Sequence, residues 1–379
     1  MLKAYKYRIY PNKEQQVLME KHFGCVRFVY NWALALQNSY YKANGKSLSR
    51  SEIQSQLVAK KKDKDFAWLT EVNSQSLLHA LLNVHTAFIH FFKGRTGYPR
   101  FKAKHYAARS YQNPQHSKVD FDKGVIDLPK LKGVKAKLSR PFEGKIKTVT
   151  VSKSATGKYY ASVLVESAQT VPIASTIEPD KTLGIDVGLT HLLNLSDGSK
   201  IDNPRFLKQA RQRLKKAQRI FSRKQKDSLN RQHQRLVVAR LHEKVKNQRL
   251  DLNHKLTHQL VCENQATSFA VEDLVVKNMV KNRKLARSIS DAAWGQLITL
   301  LTYKSKWYGK NVLTVERFFA SSKTCSHCHH HVKTLPLSVR SWRCEACGTE
   351  LDRDINASQN IRQQALADAL GDALGQSVV

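Results

Sequence analysis

The chain has 379 residues, with 64 lysines and arginines against 30 aspartates and glutamates, a formal net charge of +34, and 41% hydrophobic residues. That length gives room for two or three domains with cores of their own, and the apolar share excludes a disordered tail protein. Such a positive excess repels itself unless a polyanion neutralises it; without a run of roughly 18 apolar residues, an amphipathic anchor or a signal-peptide core, nucleic acid is the expected polyanion and a membrane is not.

Residues 1–10 alternate, with Tyr5, Tyr7 and Ile9 on one side and Ala4, Lys6 and Arg8 on the other, the period of a strand. Pro11-Asn12 ends it, and Asn12 with Gln15 forms a capping-box start for a helix running towards Tyr41. Ser49 and Glu52 repeat that signature for a second helix, and Leu77, Leu81, Val84 and Phe88 have the spacing of a third. Together they predict a small helical lobe ending near Gly94-Arg95. Gly97-Tyr98-Pro99-Arg100-Phe101-Lys102 interleaves aromatics with cations. That suits a nucleic-acid groove contacted by Arg100 and Lys102, and equally a core aromatic with a snorkelling lysine. Residues 118–166 carry short alternating runs, and 147–152 and 158–166 flank Ser154-Ala155-Thr156-Gly157 as a hairpin does. A β-subdomain is expected there, with the first strand available to pair with it. Residues 171–180 read as a linker.

From Lys181 the pattern is α/β. Residues 182–187 form a buried strand, and 191–195 return after a tight glycine turn. Leu207, Ala210, Leu214, Ala217 and Phe221 draw a heptad seam on an otherwise basic helix, and a second basic helix over 231–261 completes an antiparallel hairpin. Acids are too few to lace it with salt bridges, so Arg211, Lys215 and Arg219 are expected to track phosphates. A strand over 268–272, a helix over 291–308, a strand over 312–319 and a last helix from Asp354 follow, then a frayed tail over 371–379.

Three acids stand out in so basic a chain. Asp186 ends the apolar run Leu183-Gly184-Ile185, Glu272 ends Phe269-Ala270-Val271, and Asp354 opens the last helix. Any one of them alone also fits a turn or cap residue, and Asp273 and Asp352 are close decoys. Two strand carboxylates and one helix carboxylate suit an RNase H-like fold, where the first and fourth strands lie side by side under a helix. Phosphodiester hydrolysis there uses two Mg²⁺ ions held by hard carboxylate oxygens. In this reading Asp186 bridges both ions, and Glu272 and Asp354 anchor one each.

Cys325-Ser326-His327-Cys328 and Cys344-Glu345-Ala346-Cys347 have the spacing of a four-thiolate structural zinc site, with the intervening residues expected as a β-hairpin. His327, His329, His330 and His331 crowd the first pair; they could compete as ligands, but the favoured reading is that they are solvated or touch phosphate. Cys25 and Cys262, alone in apolar stretches, read as small core residues.

The order and spacing of these pieces, with Tyr98-Pro99-Arg100-Phe101-Lys102, Leu183-Gly184-Ile185-Asp186-Val187-Gly188, His254-Lys255-Leu256, Val271-Glu272-Asp273-Leu274, the double cysteine knuckle and Asp352-Arg353-Asp354-Ile355-Asn356-Ala357, resemble the OrfB/TnpB family of insertion sequences, relatives of type V CRISPR effectors. The resemblance runs from about Tyr5 to Ile361. It implies a RuvC-like nuclease domain over 181–320 and 350–370, carrying the basic hairpin at 205–261 and an inserted zinc ribbon at 321–349. It further implies a β-barrel wedge domain over 1–10 and 95–180 and a helical recognition lobe over 11–94. The catalytic acids would be Asp186, Glu272 and Asp354. The partners would be a guide RNA from the transposon end and double-stranded target DNA beside a short adjacent motif, with base pairing choosing the sequence. A monomer on its RNA, cytoplasmic and nucleoid-associated when on DNA, is the favoured assembly. Two positions depart from the pattern: His329 stands where a glycine is common, and Ser358 where an alanine is. A guide-dependent repressor, a DNA transposase and a non-catalytic zinc-ribbon RNA binder are the rivals; the three acids argue against the repressor, and the zinc ribbon just before the third acid argues against the transposase.

Overall fold

The structure, a computed structural model, describes residues 1–104, 109–336 and 338–375. The chain divides into two compact units, Met1–Thr170 and Val171–Val379.

The first unit opens with β1 (Leu2–Tyr10) and α1 (Lys13–Asn44), whose start is the reciprocal Asn12–Gln15 capping box. The equivalent Ser49–Glu52 box starts α2 (Arg50–Lys62), a 3₁₀ turn spans Lys64–Thr70, and α3 (Ser74–Phe92) follows. Strands β2 (Arg109–Asn113), β3 (Lys118–Asp120), β4 (Val125–Leu128), β5 (Leu131–Lys137), β6 (Lys145–Lys153) and β7 (Tyr159–Glu166) complete it. With β1 they form one seven-stranded antiparallel sheet, ordered β2-β6-β7-β1-β5-β4-β3. The first strand therefore does pair with the later ones, against β7 and β5. Its alternation buries Tyr7 and Ile9 while Lys6 and Tyr10 stay exposed. Helices and sheet share one core, which holds Val29, Leu34, Leu77, Val149 and Val163 as well.

In the second unit, β8 (Thr182–Val187), β9 (His191–Leu195) and β10 (Lys200–Asp202) form an antiparallel meander, followed by the hairpin of α4 (Phe206–Arg223) and α5 (Leu229–His258). The end of α5 loosens into a π turn at Gln259–Glu263. Next come β11 (Ser268–Glu272), α6 (Val276–Met279), α7 (Ala286–Ala292), α8 (Trp294–Trp307) and β12 (Asn311–Val315), then β13 (Ser341–Arg343), β14 (Glu350–Asp352) and α9 (Arg353–Gly375). The five-stranded sheet runs β10-β9-β8-β11-β12, so the first and fourth strands of the unit are neighbours, and β11 is parallel to both β8 and β12.

Both faces of this sheet are covered, which is why β8 and β11 read as continuous apolar runs rather than alternating ones. Leu183, Ile185, Phe269 and Val271 pack with Leu297 and Leu301 of α8, whereas Ala270 and Val315 pack with Ile361 and Ala365 of α9. The approach of α9 is close enough to require a glycine. A Cβ on Gly184 would lie 2.0 Å from the Ser358 carbonyl oxygen.

Several elements differ from expectation. The helix expected over 291–308 is two helices, parted at Ala293, which takes a left-handed φ of 56°. The last strand stops at Val315 because the chain turns at Glu316, whose carbonyl accepts from Phe319 N–H. Residues 171–180 are not a free linker: Ser175 N–H donates to Gly309 O and its own carbonyl accepts from Asn311 Nδ2, each at 2.8 Å. The alanine-rich end of α9 keeps its helix through Gly375, into the stretch expected to fray, as its high helix propensity favours; 376–379 lie outside the described residues.

Candidate active site and cysteine cluster

The parallel ladder between β8 and β11 pairs Ile185 with Val271, and the next residue on each strand is an acid, Asp186 and Glu272. Asp354 enters from the first turn of α9, which the glycine at 184 seats on the same strands. The three carboxylates are close enough that Glu272 and Asp354 both act electrostatically on Asp186. Burial first, then the Glu272 charge, and less strongly Asp354, push the Asp186 carboxyl up to about 7, against the Asn194 hydrogen bond and the Arg353 charge. Burial likewise raises Glu272, against the hydrogen bond from Ser321. Carboxylates held together at such cost in a basic protein suit a cation site.

Their partners are specific. Asn194 Nδ2 donates to Asp186 Oδ2 at 3.1 Å, Ser321 Oγ donates to Glu272 Oε1 at 2.7 Å, and Arg340 Nη1 lies 3.4 Å from Asp354 Oδ1. These three were not expected. Asn194 had a signal, a lone amide inside the buried run Leu192-Leu193-Asn194-Leu195; Ser321 and Arg340 lie in loops with none. The decoys are engaged otherwise. Asp273 pairs with Arg317 at 2.7 Å on the surface. Asp352 caps α9 by accepting from Asp354 N–H and Ile355 N–H, and Lys200 pairs with it at 2.6 Å. Despite its partial burial, these contacts hold Asp352 below the usual carboxylate range.

Among the described residues, the four cysteines are the group whose ligand atoms gather tightly enough for one ion: all four sulfurs lie within 4.8 Å of one another. The sulfurs of Cys325 and Cys347 are 3.8 Å apart and those of Cys328 and Cys344 are 3.6 Å apart. A tetrahedron of four Zn–S bonds of about 2.3 Å has edges of about 3.8 Å, so the donors fit that ion. The two knuckles are built alike. Cys325 N–H donates to His330 O and His329 N–H to Cys325 O; Cys344 N–H donates to Thr349 O and Gly348 N–H to Cys344 O, all at 2.9 Å. The expected hairpin between the knuckles is replaced by one around each: a Thr324–His331 bridge encloses the first, and β13 with β14 encloses the second. This follows from those turns, which reverse the chain at each Cys-x-x-Cys. His329 and Gly348 both have left-handed φ, 60° and 74°. Cys25 is buried in the first core and Cys262 is partly buried against the second.

Arg211, Lys215 and Arg219 are exposed at four-residue spacing along one face of α4, whereas Leu214 and Ala217 are buried. Arg100 is exposed. Lys102 places its ammonium 3.8 Å from the centre of the Tyr30 ring, exchanges backbone hydrogen bonds with the Asn31 amide, and has its pKa lowered by burial, which favours the packing role for this lysine.

Comparison with known proteins agrees with this architecture. A family model described as "Probable transposase", OrfB of the IS605 type, matches residues 162–283; one described as "Cas12f1-like, TNB domain" matches 294–361. A third, described as "Helix-turn-helix domain", matches residues 1–46, which fold as β1 and the single long helix α1. A protein of Streptomyces pristinaespiralis named "Putative RNA-guided DNA endonuclease" is 42% identical over 368 residues, covering 96% of this chain and 90% of that one. A protein of Escherichia coli strain K12 bearing the same name with the suffix InsQ is 34% identical over 375 residues, covering 95% and 91%. The solved Cas12f1–sgRNA–target DNA complex superposes with a TM-score of 0.57 at 14% identity, covering 96% of this chain and 98% of that one, a likeness of fold. The class is thus a mixed α/β protein with the fold seen in that complex. Within it, the chain belongs to the OrfB/TnpB family.

No helix among the described residues is long and apolar enough to cross a membrane.

Proposed function

We propose that this protein is a transposon-associated, RNA-guided DNA endonuclease that hydrolyses phosphodiester bonds at Asp186, Glu272 and Asp354. The carrying observation is the convergence of three carboxylates from β8, β11 and α9, with Asp186 raised to about 7 by burial and by its acidic neighbours. The site fits Mg²⁺ chemically: it offers hard oxygens, and the Asn194 side-chain oxygen beside Asp186 is buried with no hydrogen-bond partner among the described residues. Two bound Mg²⁺ ions would supply an activated water and a stabilised leaving 3′-oxygen. Asp186, Glu272 and Asp354 would hold them. Asn194 and Ser321 would orient two of the carboxylates, and Arg340, beside Asp354, would be available to substrate phosphate.

The four cysteines would hold a structural zinc ion in a ribbon over 321–349, inserted into a RuvC-like nuclease domain over 181–320 and 350–370. The seven-stranded sheet would act as a β-barrel wedge, and 11–94 as the recognition lobe. A guide RNA made from the transposon end would choose a DNA target beside a short adjacent motif in the cytoplasm.

The test is to express the chain with its flanking DNA and sequence the RNA that copurifies. One discrete species running from the element's end into neighbouring sequence is expected, and the complex should cut matching DNA to 5′-phosphate ends. Random RNA, or DNA ends joined to new DNA instead of hydrolysed, contradicts the proposal.

A further inference from the structure

Beside the loop that follows Asp186 lies a cavity of about 310 Å³, which neither the carboxylates nor the cysteines use. Arg205, Lys208, Arg211 and Arg287 line it, with the hydroxyls of Thr190 and Ser288. One acid, Asp291, is also present, but its charge is already matched. Arg249 binds it at 2.7 and 3.0 Å, and the backbone N–H groups of Leu207 and Lys208 donate to it as the cap of α4. Among the described residues none of the four lining cations is in an ion pair. Arg205 stands out further: it has a left-handed φ of 53° and reaches the Leu189 carbonyl with Nη2 at 3.4 Å. Non-glycine residues held there carry strain that the surrounding structure must offset.

Four uncompensated cations with two hydroxyl donors around a small concavity match the chemistry of a tetrahedral, singly charged oxyanion repeated along a polymer. The position narrows the ligand. Leu189 is three residues beyond Asp186, a reach of at most about 10 Å along the chain. A strand whose scissile phosphate sits at the carboxylates therefore has another phosphate within a few nucleotides of the cavity.

We propose that this cavity is a phosphate-binding subsite that holds a backbone phosphodiester of the DNA strand entering the active site, with Lys208 and Arg287 as its main anchors. It fixes the register of the strand and does not touch the reacting atoms, so these are positioning residues. The identity of the strand as the one to be cut rests on the nuclease reading; the phosphate chemistry of the cavity does not.

The experiment uses the RNA-loaded protein carrying Asp186→Ala, so that nothing is cut, and a single-stranded DNA oligonucleotide without complementarity to the guide. Adding Lys208→Gln and Arg287→Gln should weaken binding about tenfold at moderate salt and flatten the salt dependence of log affinity by about 1. The charge-retaining pair Lys208→Arg and Arg287→Lys should restore both, and RNA content should not change. Unchanged affinity and slope would overturn the subsite. A loss of bound RNA instead would overturn the DNA assignment and give the phosphate to the guide. Cleavage by the protein without these substitutions is scored separately, so failure of the nuclease reading is distinguishable from failure of this one.

Discussion

Asp186 is placed where burial and like charge oppose folding. Replacing it with asparagine removes a charge that the metal-free site disfavours and keeps the shape. Asp186→Asn should therefore cut no DNA yet be more stable than the parent without Mg²⁺ at neutral pH, by about 1 kcal/mol; a lower melting temperature would show that the carboxylate is compensated after all. His329 carries the opposite kind of cost, a backbone one. It occupies the left-handed position that Gly348 fills in the second knuckle. Relief of that conformation, less the extra chain entropy of glycine, predicts that His329→Gly stabilises the metal-loaded protein by roughly 0.5–1 kcal/mol. Destabilisation would mean the imidazole makes a contact of its own. The acids and cysteines were legible in the sequence because each ends an apolar strand, opens a helix, or has ligand spacing. Ser321 and Arg340 were not, since only tertiary folding brings those loops to Glu272 and Asp354. Ser358, the other departure from the family pattern, satisfies its buried hydroxyl by donating to Ile355 O at 2.7 Å.

Helix α9 links the two candidate metal sites. Its Asn356 and Asn360 amides donate to Thr324 O at 2.8 and 2.6 Å, and Asn356 Oδ1 accepts from Ser326 N–H at 2.8 Å, which ties the helix to the first knuckle. Two residues before Asn356 it carries Asp354. Removing zinc should lower the melting temperature of the second unit and impair cleavage together, because binding energy at such sites is folding energy; an unshifted melt after chelation would argue against a structural ion. The seat of α9 on β8 can be tested separately. Gly184→Ala forces a methyl against the Ser358 carbonyl and should cost about 1–3 kcal/mol in thermal or urea unfolding. A neutral result would mean that α9 can shift freely. The starts of α1 and α2 were readable from their capping boxes, and β8, β9 and β11 from their apolar runs. Two of the features that escaped show why. The three residues of β10 are too few for a periodic signal, and the break at Ala293 comes from a residue that ordinarily favours helix, so packing and not propensity sets it.

At the scale of the whole molecule, a net charge of +34 must be met by a polyanion, and binding led by phosphates falls steeply with salt. Cations line the exposed face of α4 and the cavity beside the loop after Asp186, while the candidate catalytic acids sit at the ends of two strands and the start of one helix. In the proposed function that division separates holding the nucleic acid from cutting it. The most direct measurement is therefore cleavage of a guide-matched plasmid in Mg²⁺ by the RNA-loaded parent and by Asp186→Ala, with RNA content and DNA binding measured in the same preparations. Cutting by the parent, its loss in the variant, and equal RNA and DNA binding in both are expected; cleavage that survives the substitution would contradict a nuclease centred on Asp186.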